Sequence, residues 1–95
     1  MEDHGLFMIR LCSDGAAYEA VPKRRLRLDI PNLGRSLTRR GDCELLLSNP
    51  QFMVVKWKHQ AEVTIVDDGR MIIRNAADQG DARTIAETLL PDACR

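Results

Sequence analysis

Aromatic side chains are scarce in this 95-residue chain, which has two Phe, one Tyr and one Trp. A surface that stacks on nucleobases needs several exposed rings, so base-specific recognition has little support. Histidine is scarcer still: His4 lies near the start and His59 falls in a turn, and no Ser-His-Asp or Cys-His nucleophile can be assembled around either. The six glycines are scattered, and none forms a G-x-G-x-x-G or P-loop phosphate cradle. Three cysteines, Cys12, Cys43 and Cys94, are odd in number and widely spaced, which fits neither a disulfide framework nor a short-spaced metal site. They read as reduced thiols, and no metal or cofactor is implied. No apolar run approaches the roughly 18–20 residues needed to cross a bilayer. The opening Met-Glu-Asp-His is acidic where a signal peptide is basic, and Leu6–Leu11 is short and broken by Arg10. The expectation is a cytoplasmic protein without membrane partners.

What remains is enough for one modest domain spanning residues 1–95. A chain of this length buries roughly 60–70% of its unfolded surface, which allows a two-layer core but no large enclosed active site. Net charge is zero, with 14 basic and 14 acidic residues, but the balance is a cancellation. Residues 1–22 sum to −3, residues 23–41 to +6 and residues 42–95 to −3. Lys23, Arg24, Arg25, Arg27, Arg35, Arg39 and Arg40 are half of all the basic residues, set against Asp29 alone. A local field of that strength acts on an acidic partner even in a neutral chain, and these seven residues form the candidate binding surface.

Leu6–Cys12 reads as a strand with Phe7, Ile9 and Leu11 on one face; Ser13-Asp14-Gly15 turns it into an extended piece, Tyr18–Val21. Residues 1–22 thus form an N-terminal hairpin. Pro22 and the basic run break the pattern, and Leu26–Leu28 is a short strand or a linker. A helix follows, with Asp29 as N-cap, Pro31 in the first turn, an apolar stripe of Ile30, Leu33, Gly34 and Leu37, and Gly41 as its C-terminal stop. Then comes a meander of four strands: Cys43–Ser48, Phe52–Lys58, Glu62–Val66 and Arg70–Asn75. A second helix over Gln79–Leu90 is capped by Asp78 and ended by Pro91, with Ala82, Ile85, Ala86 and Leu89 as its stripe.

The turn between the last two strands sets the face that each side chain takes. A two-residue Asp68-Gly69 turn would put Arg70 and Arg74 on the same side as Val63 and Ile65. A three-residue turn, Asp67-Asp68-Gly69, ending in a glycine bulge instead pairs Val66 with Arg70, Ile65 with Met71 and Val63 with Ile73. This second register separates an apolar face from one bearing Glu62, Thr64, Val66, Arg70, Ile72 and Arg74. It predicts an α+β fold: an antiparallel four-stranded meander with both helices packed on one face, plus the N-terminal β-hairpin.

Paired carboxylates offer no acid–base site, because Asp67 and Asp68 belong to the turn and Asp78 and Asp81 to the helix start. From Asn49-Pro50-Gln51-Phe52 through Glu62-Val63-Thr64-Ile65-Val66-Asp67-Asp68-Gly69-Arg70 to Ala82-Arg83-Thr84-Ile85, the pattern resembles the small C-terminal appendage of ThiF/MoeB/HesA-type adenylyltransferases. The likeness spans residues 28–90. It implies an accessory domain that works with a larger enzyme or its sulfur-carrier system, with Asp68, Gly69 and Arg70 matched as turn residues. That family's Rossmann domain, glycine loop, adenylating residues and zinc-binding Cys pairs have no counterparts, so no catalytic residue carries over. The helix-plus-meander order also resembles, more weakly, one half of the TATA-binding protein. The function expected is a non-enzymatic module that presents its open sheet face, or the basic stretch, to a protein partner, self-association included. Phosphate-backbone binding to nucleic acid through residues 23–40 is the alternative, and a sulfur-relay role for Cys94 or Cys43 is a third reading.

Overall fold

A computed structural model describes residues 7–12, 15–24, 26–41, 43–58 and 60–90. The elements run β1 (Phe7–Leu11), β2 (Ala17–Pro22), α1 (Ile30–Arg40), β3 (Cys43–Ser48), β4 (Phe52–Trp57), β5 (Ala61–Val66), β6 (Met71–Arg74) and α2 (Gln79–Leu89). All six strands belong to one sheet in the order β1-β2-β6-β5-β4-β3, every neighbouring pair antiparallel. The fold is α+β, and the hairpin does not stand apart from the meander. Its second strand pairs with β6, Tyr18 opposite Ile73 and Ala20 opposite Met71. Without β2 the backbone of β6 would end the sheet with a row of unpaired groups, and the pairing satisfies them.

The bulged register is the one adopted. Val63 lies opposite Ile73, Ile65 opposite Met71 and Glu62 opposite Arg74, while the Gly69 and Val66 N–H groups donate to Val66 O and Arg70 O. Gly69 has φ of 97°, the left-handed conformation that this turn demands and a side chain resists. Asp68 Oδ1 accepts from Arg70 N at 3.0 Å, which closes the turn on its far side. Residues 26–28 form no strand. They run beside this turn, with Leu28 N donating to Asp67 O.

Both helices begin on the expected chemistry, and α1 also ends on it. Asp29 accepts from Asn32 N at 3.2 Å and Asp78 from Asp81 N at 2.8 Å, each filling one orphan N–H of its first turn. Gly41 stops α1 with φ of 84°. Pro91, the expected stop of α2, lies outside the described residues, and the Leu90 N–H closes that helix on Ala86 O. α1 packs over β3 and β4 and α2 over β1 and β2, so the two helices share one face of the sheet. Their C-terminal ends meet where Arg40 Nη2 donates to Thr88 O at 3.0 Å. The core lies between: Phe7 and Ile9 from β1, Met53 and Val55 from β4, Val63, Ile65, Met71 and Ile73 from the centre, with Ile30, Leu37, Ile85 and Leu89 above them.

Candidate interaction surface

Among the described residues no helix lies over the sheet's other face. Its register sets Glu44, Lys56, Glu62 and Arg74 in line across β3, β4, β5 and β6, so unlike charges alternate. Beside this row run Leu47, Val54, Thr64 and Ile72, continued on β2 and β1 by Glu19 and Arg10, whose side chains bridge at 2.9 Å. Cross-strand neighbours shield most of these side chains. The face is therefore a mixed surface on which oppositely charged residues stand on neighbouring strands.

The six described residues of the basic set are spread over separate parts of the fold. Lys23 and Arg24 are exposed in the bend after β2, and Arg25 lies outside the described residues. Arg27 lines a cleft with Leu26, Asp67 and Asp68, where the acidic turn offsets its charge. Arg35 and Arg39 border a groove between α1 and β3. Arg40 is committed to Thr88 O at the end of α2. The helix and the turn thus distribute a charge run that looks continuous along the chain.

The two edges of the sheet differ more than its faces. On β1 the carbonyls of Phe7 and Ile9, two residues apart and so on the same side of the strand, both accept from α2: Arg83 Nη1 at 2.9 Å and Gln79 Nε2 at 3.3 Å. Glu87, one turn along, holds the Arg83 guanidinium at 3.6 Å. A helix side chain on the free carbonyls of an edge strand is one way to prevent further pairing there.

β3 ends the sheet on the other side, and none of its six residues is buried. Leu45, Leu46 and Leu47 are 41, 47 and 52% exposed. The β3–β4 register shifts between Leu45 and Leu47: Leu45 stands opposite Val55 on the helix-covered face and Leu47 opposite Val54 on the open one. That bulge turns three consecutive leucines around the strand, which presents apolar surface on both sides of the edge. On the α1 side it borders a shallow, mainly apolar groove of about 410 Å³ lined by Pro31, Gly34, Thr38, Leu45 and Ser48 together with Arg35 and Arg39.

The leucine run is the site that charge counting overlooked. Its signal was present in the sequence, because a strand with one buried face needs an apolar residue only at every second position, and Leu45-Leu46-Leu47 fills both sides. Cys43, at the start of β3, is half-buried and packs on the core as a small hydrophobe does. Cys94, His4 and His59 lie outside the described residues. Trp57 is buried with Lys58 Nζ 5.0 Å from its ring, and Tyr18 packs against the core, so both act as packing groups. Among the described residues no three His, Cys, Asp or Glu side chains converge on a point, and no helix is long and apolar enough to cross a membrane. Comparison with protein-family models, with curated proteins and with solved structures gives no match, and the surface is therefore read from its own geometry.

Proposed function

We propose that this chain is a non-catalytic protein-binding module that takes its partner along β3. The observation that carries the reading is the asymmetry of the edges: α2 side chains close the β1 edge, whereas β3 offers three adjacent exposed leucines beside an apolar groove. Exposed leucines scattered singly need no explanation. A contiguous row on an edge that no described residue covers does, because it costs solubility unless something covers it. The resemblance to an adenylyltransferase appendage makes such an enzyme, or its sulfur-carrier system, one setting for the module.

The reading is tested by comparing a Leu46→Lys/Leu47→Lys double variant with a Met8→Lys/Leu11→Lys variant on the closed edge. All four positions are about half exposed, so both variants should fold with little change in stability. Capture from native lysate followed by mass spectrometry should show one stoichiometric protein lost from the β3 variant and kept by the β1 variant. Retention of that protein by both variants would refute the reading.

A further inference from the structure

We infer that the α1–β3 groove receives an acidic peptide segment of the partner protein, with a bulky apolar side chain against Leu45 and flanking carboxylates on Arg35 and Arg39. This rests on the protein-binding reading above and assigns the chemistry of the partner.

The apolar and the basic residues lining the groove ask for different groups. Pro31, Gly34 and Leu45 supply its apolar surface. Gly34 is buried, and a Cβ there would touch Met53 Sδ at 3.4 Å and Leu45 Cδ2 at 3.9 Å, which places this turn of α1 against β4 and β3 beside the groove. Arg35 and Arg39 are four residues apart and so stand on one side of α1, and both line the groove. The sequence of α1, IPNLGRSLTRR, has no acidic residue to neutralise them. Asp29, the nearest carboxylate before the helix, is held as its N-cap. Among the described residues Arg35 meets Asn32 Oδ1 alone, at 3.4 Å. Two guanidiniums next to an apolar surface match carboxylates that flank an apolar side chain, because a planar fork binds a carboxylate through two parallel hydrogen bonds.

The same features disfavour two other occupants. A second copy meeting edge to edge at β3 would bring one basic α1 toward another, and the bulge at Leu46 interrupts the regular ladder that strand pairing needs. A nucleic acid would satisfy the two arginines with phosphates but leave Leu45, Leu46 and Leu47 facing a polar backbone, and Trp57 is buried away from any base.

The experiment is selection of random dodecapeptides on the immobilised full-length chain, followed by fluorescence anisotropy with the recovered peptides. The expected sequences combine Leu, Ile, Met or Phe with Asp or Glu. An Arg35→Glu/Arg39→Glu variant should weaken them by about tenfold or more, with a steep dependence on salt. Peptides remade with Lys in place of the acids should prefer that variant over the original chain. Arg35→Gln/Arg39→Gln, read in parallel, keeps the test valid if charge reversal disturbs folding. Recovered peptides without acidic residues, binding indifferent to both arginine variants, competition by a short oligonucleotide at equal concentration, or a dimer by light scattering that blocks the peptides would each overturn the assignment. Leu46→Lys/Leu47→Lys separates the two readings. Peptides that depend on the leucines and not on the arginines leave β3 as a docking edge and remove only the acidic partner, whereas independence from both removes the edge as well.

Discussion

Replacing Gly69 by Ala tests the turn that sets the whole sheet's sidedness. Gly69 stands at φ of 97°, and an added Cβ would meet Leu26 Cδ1 at 2.6 Å, Pro22 Cγ at 3.1 Å and Leu26 Cβ at 3.2 Å. Two costs therefore combine. Left-handed backbone costs a non-glycine residue about 1–2 kcal/mol, and forcing a methyl into a filled space costs another ~1–3 kcal/mol. Leu26 Cδ1 can rotate away, but Pro22 Cγ and Leu26 Cβ are held by the chain, so part of the clash persists. The expected loss is about 2–5 kcal/mol. Gly41 supplies the control, because it has φ of 84° and nothing within 4 Å of an added Cβ. Gly41→Ala should lose only the backbone part, about 1–2 kcal/mol. Urea denaturation read by circular dichroism gives both values, and thermal melts should separate the variants by about 4–8 °C for each kcal/mol. In a Leu26→Ala background the cost of Gly69→Ala should fall, a coupling that a double-mutant cycle measures. Equal losses for Gly69→Ala and Gly41→Ala would refute the packing of Pro22 and Leu26 against this turn.

The closed edge gives a second expectation. Arg83→Ala removes the donor to Phe7 O, and should cost about 1–2 kcal/mol and produce concentration-dependent association that light scattering detects. A variant that stays monomeric at full stability would show that Arg83 does not guard β1. Asp29→Ala and Asp78→Ala should each lower stability by about 1 kcal/mol in urea denaturation, and the Asn versions, which keep an acceptor, by much less.

Much of the fold was legible because local chemistry and periodicity agreed. Asp29, Pro31 and Gly41 bound α1 as helix ends do, and the stripe of Ile30, Leu33, Gly34 and Leu37 turns inward. The Asp67-Asp68-Gly69 turn was readable because only one register separates charge from the apolar face, and burial makes the alternative costly. The interaction surface was less accessible. A count of arginines along the chain contains no information on which acidic side chains stand near them after folding. Arg27 proves to lie by Asp67 and Asp68, and Arg40 is spent on the end of α2. The exposure of Leu45, Leu46 and Leu47 depends on β3 being the last strand of the sheet, a property of strand order and not of β3 itself.

The sequence by itself determined the elements, their caps and the side of each central strand that faces the core, because these follow from backbone preference and a two-residue or 3.6-residue period. The tertiary structure alone decided that β2 joins β6, that α2 reaches across to seal β1 and that β3 is left as the open edge. Those outcomes depend on long-range pairing and on which backbone groups find donors elsewhere in the chain, and contacts between residues 70 or more positions apart, such as Gln79 with Ile9 and Arg83 with Phe7, leave no local trace in the sequence.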